Sequence, residues 1–265
     1  MKLVKSRALK WELRSKRLLH CSAPLAATMN APPSTCEAPL WARHGAVEPF
    51  VATAAFALWI NLFRVLESRG DARRALRAVF DVRKSTRVLR AGACYAVGVA
   101  AFRRVAPPAA VDWRCPTIAA FLAEVVYGVV LYDLIFFALH KLMHESRVGR
   151  LARHGRHHAA ARVTAAGVLD HSLADGALQV LANILAQRRG PLGAPKNFLA
   201  RLAHNVVVTY LLTDSHADTP YRLSRAFPRL LRGARDHRAH HGHGGPPYQQ
   251  FFGHLDALFS ERKVG

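Results

Sequence analysis

Apolar positions along the chain gather into discrete runs, and basic residues gather between them. The longest run is TIAAFLAEVVYGVVLYDLIFFALH, Thr117 to His140, 24 residues whose only formal charges are Glu124 and Asp133. An earlier run, Pro49 to Phe63, holds 15 uncharged residues between Glu48 and Arg64. As a helix it would span roughly 22 Å, against a hydrocarbon core of roughly 30 Å. Shorter runs follow at Ala91–Phe102, Gly176–Gln187 and Leu202–Thr213. None reaches about 18 apolar residues without interruption, so hydropathy alone does not establish a membrane span. Alternating strand patterns are scarce while alanine and leucine are frequent, a combination that predicts an all-α fold.

The polar stretches punctuate these runs. Arg64 to Arg90 carries nine basic and three acidic side chains and predicts one or two polar helices. Pro107, Pro108 and Pro116 break any helix ahead of the long run, and QRRGPLGAPKN separates the two late runs. At the start, Lys2, Lys5, Arg7, Lys10, Arg14, Lys16 and Arg17 face only Glu12, the pattern of a cytosolic basic arm or of part of a targeting peptide. An Ala/Pro-rich linker follows it. Three regions are expected: arm and linker over 1–47, an apolar hairpin with basic polar helices over 48–114, and a histidine-bearing domain over 115–262.

Composition then narrows the function classes. The 265 residues carry 38 lysines and arginines against 17 acids, a net charge of +21, with 51% hydrophobic residues and a mean hydropathy of +0.05. So apolar a chain is not wholly disordered. A charge of this size suits nucleic acid or an anionic membrane surface. Cys21, Cys36, Cys94 and Cys115 are widely spread and form no CxxC pair, which argues for neither a disulfide scaffold nor a cysteine zinc site. There is no P-loop, no HExxH and no GxSxG elbow.

Histidine is where the chemistry lies: 13 of the 15 fall between His140 and His254. HKLMH places His140 and His144 one helical turn apart. HGRHH supplies His154, His157 and His158, and HRAHH supplies His237, His240 and His241. Residues at i, i+3 and i+4 share a helical face, so each cluster is expected to present its rings to one side. Asp133 shares the face of His140 and His144. One ion takes roughly four to six ligands, so eight or more imidazoles suggest two ions, and imidazole suits iron, zinc, copper or nickel. His171 and His216 could join in space, and carboxylates such as Asp133, Asp170, Asp175, Asp214, Asp218 and Asp236 could ligate or orient ring nitrogens. A lone HxxxH is usually a surface patch; two HxxHH and one HxxxH within about 100 residues are not. His20, His44, His204, His243 and His254 lie outside the pattern and are expected not to bind metal, His204 being a candidate buried, hydrogen-bonded ring.

The order HxxxH, HxxHH, HxxHH in a basic, partly apolar chain resembles the fatty acid hydroxylase and sterol desaturase superfamily over roughly Tyr127 to Arg262, most closely its C-5 sterol desaturase-like branch. VLDHSLADGALQVLANIL is similar to that branch's histidine-proline-x-aspartate-glycine segment, with Ser172 in place of the proline. DHRAHHGHGGPPYQQFFGHLDALFS is similar to the terminal signature: Asp256, Leu258 and Phe259 fit it, whereas Gln249 and Gln250 follow Tyr248 where the signature has asparagine-tyrosine-glycine, and Ser260 replaces its last glycine. The resemblance implies an integral membrane helical protein with a cytosolic, histidine-rich di-metal cap. It further implies two iron ions held by His140, His144, His154, His157, His158, His216, His237, His240 and His241, with His171, Asp133 and Asp236 as further ligands or ligand-orienting groups. By the same resemblance the substrate is a sterol or fatty-acyl lipid, hydroxylated or desaturated with O2. Electrons would come from a cytochrome b5-type or ferredoxin-type donor, in an endoplasmic reticulum-like or other internal membrane.

Two other readings account for parts of the pattern. A nucleic-acid-binding protein would use the arginine-rich stretch, but aromatic residues are not interleaved with the basic ones and the histidine spacing has no role in it. A non-catalytic metal-binding membrane protein would need ligands deep within its spans, whereas here they gather at segment ends. The balance favours a lipid and membrane partner and no nucleic acid.

Overall fold

The computed structural model describes residues 37–106, 110–159, 163–219 and 222–260. The basic arm and most of the linker expected after it lie outside the described residues. Helices dominate. The N-terminal hairpin comprises α1 (Val47–Glu67), α2 (Ala72–Val79) and α3 (Val82–Val105); α4 (Ile118–Glu145) follows, with the short α5 (Arg147–Ala152) and α6 (Gly155–His158) at its end. Next come α7 (Leu173–Ala186), α8 (Phe198–His216), α9 (Leu223–Ala226), α10 (Ala234–His243) and α11 (His254–Ser260).

Side-chain caps fix where most of the main helices begin. Asp81 accepts from the Arg83 and Lys84 N–H groups at the start of α3, Thr117 from Ala120 at α4, Ser172 from Asp175 at α7 and Asn197 from Leu199 at α8. Each satisfies a backbone donor that has no partner within its own helix. The helices extend beyond the apolar runs, with or without such a cap. The Pro49–Phe63 run becomes the 21-residue α1, roughly 31 Å long, whose last turn is tied down by an Arg64–Asp81 ion pair at 3.0 Å. Likewise the Ala91–Phe102 run is the second half of the 24-residue α3. The one β-sheet among the described residues is a parallel pairing of Val111–Asp112 with Lys196–Asn197, which ties two loops together.

Five long helices form the bundle: α1 packs on α8 and α3, α7 on α3 and α4, and α8 on α4. The core between them includes Ile60, Val129, Tyr132, Phe136, Val208 and Phe251. By length and composition α1 and α4 can each cross a bilayer. Their outward faces stay apolar, with Phe50, Leu58 and Leu62 exposed on α1 and Ile118, Leu122, Val126, Val130 and Leu134 on α4. A stripe repeating every four residues on a helix is one continuous face, and water solvates such a face poorly.

The histidines gather at one end of the bundle. His140 and His144 occupy the last turns of α4, His216 ends α8, and α7 starts nearby with Asp175 in its first turn. Two helix C-termini therefore direct their partial negative charge toward the place where a cation would sit.

Candidate metal centre

Nine imidazoles converge there in two groups. His140, His144, His154, His158 and His240 form one; His157, His216, His237 and His241 form the other. Within each group the facing ligand atoms all lie within 4.8 Å of one another. All nine candidate ligands are thus brought together, but the clusters are divided differently from the single-sided expectation. In each HxxHH motif the i and i+4 rings go to one group and the i+3 ring to the other: His154 and His158 part from His157, and His237 and His241 part from His240. Successive residues on a helix point about 100° apart, so the paired histidines of HxxHH reach two neighbouring points, and two such motifs stitch the groups together.

The nitrogen geometry differs between the groups. In the second, Nε2 atoms form a closed ring: His157–His216 at 3.5 Å, His216–His237 at 2.9 Å, His237–His241 at 3.0 Å and His241–His157 at 3.1 Å. Half the diagonal of a square with such edges is roughly 2.2 Å, close to the ~2.0–2.1 Å of a metal–imidazole bond. The first group is an open chain, His158–His154–His144–His140–His240, with Nε2 separations of 3.2, 3.1, 3.3 and 3.1 Å.

Hydrogen bonds on the far side of the rings decide what these contacts are. His140 Nδ1 donates to the Tyr248 carbonyl at 2.7 Å, His240 Nδ1 to the Gly245 carbonyl at 2.7 Å, His154 Nδ1 to the Asp175 carboxylate at 2.9 Å and His216 Nδ1 to the Leu212 carbonyl at 2.8 Å. His157 Nδ1 lies 3.3 Å from the Asp170 carbonyl. Carbonyl and carboxylate oxygens only accept, so Nδ1 carries the proton and the neutral ring turns a bare Nε2 lone pair inward. Lone pairs facing each other at 3 Å repel; a cation between them turns repulsion into coordination. Burial, then the neighbouring imidazoles, hold His157 and His237 well below the ordinary histidine range and push His241 down to about 3. His158, held down by burial and by His154, falls to about 4. Neutral imidazoles are what a metal needs. The donor set therefore fits two cations, and its all-nitrogen character suits a transition metal rather than calcium or magnesium.

The loops that place these rings have their own supports. Gly244 takes a left-handed conformation, φ +66°, and turns the chain so that the next carbonyl meets His240. Asp133 does not reach either group. It accepts from the backbone N–H groups of Gln250, Phe251 and Phe252 and from Gln249 Nε2, seating the C-terminal loop on α4. Asp256 holds the same loop through the Tyr248 and Gln249 N–H groups, at 2.8 and 2.9 Å. Gln249 and Gln250, the residues that depart from the terminal signature, are therefore working parts: Gln250 Nε2 also donates to Ser215 Oγ, beside His216, at 2.7 Å. Nothing in the sequence pattern marks their side-chain bonds to Asp133 and Ser215, which lie 116 and 35 positions away.

Asp236 joins neither group of ligands. Neither does His171, whose Nδ1 meets the Ser172 carbonyl; its ring lines a cavity instead. His204 is fully buried and bonded to Asn183 at 3.0 Å, while His243 and His254 stay outside both groups.

That cavity, of about 80 Å³, lies between α1, α3, α4, α7 and α8. Phe56, Tyr132, Val168, Leu169, Val180 and Leu212 make most of it apolar. An outer groove between α1 and α3, lined by Phe50, Leu89, Ala93 and Val99, meets it at Thr53 and Gly92. A Cβ on Gly92 would run into the Thr53 side chain, so α1 and α3 are in close contact where the groove and the cavity meet. On the opposite side of the centre, His144 and His158 open to a cleft flanked by Arg150, Arg153 and Arg156.

Comparison with known proteins agrees with this geometry. Over 157 residues the chain is 31% identical to Cholesterol 25-hydroxylase-like protein 2 of Danio rerio, covering 57% of this chain and 54% of that protein. The chain thus spans about half the length of this curated relative. No solved structure matches. Residues 125–261, just over half the chain and including all nine converging histidines, match the family described as Fatty acid hydroxylase, and it is to this family that the chain belongs.

Proposed function

We propose that the protein is an integral membrane oxygenase that hydroxylates or desaturates a sterol or fatty-acyl lipid. The observation that carries this reading is the convergence of nine inward-facing Nε2 atoms in two groups, with an apolar cavity nearby that His171, Gly176 and Leu212 help to line. Iron ions bound there would supply reduction of O2 and the oxidising power that an unactivated C–H bond requires. The chain's own residues do the rest. Tyr248, Gly245, Leu212 and Asp175 fix the tautomers. The α1–α3 groove would offer a lateral way in for a bilayer lipid once the helices part at Thr53 and Gly92, and the apolar walls would keep water from its reacting carbon.

Hydroxylation consumes O2, two electrons and two protons and yields an alcohol and water, so a donor must deliver electrons from outside. The Arg150, Arg153 and Arg156 cleft, basic and adjacent to His144 and His158, suits the acidic face of a cytochrome b5-type or ferredoxin-type protein. With the basic end of the bundle at an anionic leaflet, the cap faces the cytosol, in an endoplasmic reticulum-like or other internal membrane.

Metal analysis of detergent-purified protein tests the reading. About two iron ions per chain are expected, falling toward one in His157→Gln. Fewer than about one per chain, unchanged by that substitution, would overturn it. Lipid profiling of cells expressing the intact and substituted proteins then separates hydroxylation from desaturation.

A further inference from the structure

A strongly basic cleft of about 1010 Å³ lies apart from the histidines, where α1, α2 and α3 meet. Its acids are already engaged. Asp81 pairs with Arg64 at 3.0 Å and Asp218 with Arg238 at 3.2 Å. Glu67 Oε1 accepts from the Ala165 and Asp218 backbone N–H groups, at 3.2 and 2.9 Å. Among the cations, Arg87 is held by Asp170 at 2.7 Å. Arg69, Arg77 and Arg83 also line the cleft, and they form no ion pair among the described residues.

α2 is a wall of this cleft and has two unlike sides. At about 100° per residue, Arg73, Arg74 and Arg77 fall on one side; Leu76 and Val79 fall on the other, followed by Phe80, and all three apolar side chains are exposed. Buried Lys84 fastens the end of α2, its Nζ donating to the Val79 carbonyl at 3.0 Å and to Asn61 of α1. The last turns of α1 expose Leu62 and Val65 beside it. At 21 residues α1 is roughly 31 Å long, close to the roughly 30 Å of a hydrocarbon core. Its last turn, the cleft and α2 therefore come together at headgroup level. They do so at the end of the bundle that carries the histidines, since Asp170 joins Arg87 and also places its carbonyl 3.3 Å from His157 Nδ1.

We infer that this cleft binds the phosphate of an anionic membrane phospholipid, with Arg69, Arg77 and Arg83 at the headgroup and Leu76, Val79 and Phe80 among the acyl chains. This rests on the membrane-spanning part of the proposed function and not on its oxygen chemistry, and it adds a lipid site separate from the substrate cavity. Guanidinium groups match phosphate oxygens in charge and in geometry. A helix that is basic on one side and apolar on the other lies in the bilayer interface, and eight residues alone would hold it there weakly. Packed on α1, α2 is carried to that depth by the spanning helix. A free phosphate would satisfy the arginines but leave Leu76, Val79 and Phe80 in water, and a nucleic acid would do the same. A choline headgroup would bring its own cation into a cleft that already has an excess of them.

The test measures binding of three probes to the full-length, metal-loaded protein in neutral detergent at near-physiological salt: dioctanoyl phosphatidic acid, dioctanoyl phosphatidylcholine and glycerol 3-phosphate. Phosphatidic acid should bind at least about tenfold more tightly than either of the others. Arg77→Gln and Arg83→Gln should each weaken it roughly fivefold with metal content unchanged. Arg104→Gln, the same loss of charge at the opposite end of α3, should leave it as it was. Phe80→Ser should weaken the lipid roughly tenfold and not alter glycerol 3-phosphate. An equal loss in Arg104→Gln would reveal diffuse attraction and overturn the inference. So would equal affinity for the two lipids, glycerol 3-phosphate bound as tightly as phosphatidic acid, or displacement of the lipid by a soluble oligonucleotide. A protein that stays in solution without detergent fails the membrane reading; one that needs detergent yet shows no headgroup preference fails this inference alone.

Discussion

The two histidine groups draw on the same HxxHH motifs and sit side by side, yet they are built differently. The group of four is a closed ring whose members His157 and His216 are buried, and two of its rings are oriented by backbone carbonyls. The group of five is an open chain with half-buried His144 and His158 at its cleft side, and it includes the one ring oriented by a carboxylate, His154 on Asp175. Four nitrogens leave coordination positions vacant on an ion that takes up to six; five leave fewer. On the proposed oxygenase reading, the ring of four would hold the ion with more open positions for the oxidising chemistry, and the chain of five, beside the basic cleft, would be the relay.

Adjacent residues can break this comparison most sharply. His157→Gln removes one of four ligands and should cost its ion and activity by more than the roughly 10–100-fold typical of losing a ligand-orienting partner. His158→Gln removes one of five, leaves four, and should keep most of the metal. Metal counts by mass spectrometry on both variants decide the matter; equal losses would mean the groups are equivalent.

Asp175→Asn comes next. It leaves both ligand sets intact but removes the carboxylate behind His154, so affinity at the group of five should weaken roughly 10–100-fold while the ring of four is spared. Chelator titration should accordingly change from one release step toward two. A uniform weakening of both ions would show that the groups act as one unit.

The same contrast shows how far the sequence could be read. All nine converging histidines were legible, because i, i+3 and i+4 spacing is local and a helix converts it directly into direction. Their division into four and five was not, since it depends on where α4, α8 and α10 bring partners from 59 to 100 positions away. Asp133 shares the His140 face as the spacing predicts, yet the C-terminal loop claims its oxygens. The apolar runs located the helices, but caps such as Asp81 and Thr117 fix where they begin. The buried hydrogen-bonded cluster of Glu48, Tyr95, Asn183 and Asn205 left no local signal, being assembled from α1, α3, α7 and α8.

Acidification probes both groups with a gentler effect. His158 and His241 stand at about 4 and about 3, against about 6.5 in an unfolded chain. Their lowered values mean that the unfolded or metal-free, open form takes up protons first. Stability and metal retention should thus be fully present above pH ~6.5 and be lost progressively as pH falls toward 4 and then 3. The half-buried His158 side should yield before the buried His157 side. Metal retention measured after equilibration at each pH checks the order; retention that rises on acidification would contradict the neutral-imidazole geometry.

The smallest effect on metal is expected at His171, and it bears on whether the ring of four is truly four. His171 is the histidine nearest in kind to a fifth ligand: its ring stands close enough to His216 to depress that group further. Its Nδ1, however, is turned to the Ser172 carbonyl, and its ring lies against Gly176, where a Cβ would come within 2.6 Å of Cε1. It is a wall of the cavity at the ligand end. His171→Ala should leave the metal count of both groups unchanged while enlarging the space beside the reacting carbon, so that the ratio of oxidation products shifts and metal does not. Gly176→Ala presses on the same ring from the other side and should shift that ratio in the opposite sense. Loss of an ion in His171→Ala would add it to the ring, make both groups five-coordinate by protein, and remove the difference on which the assignment of oxidant site and relay depends.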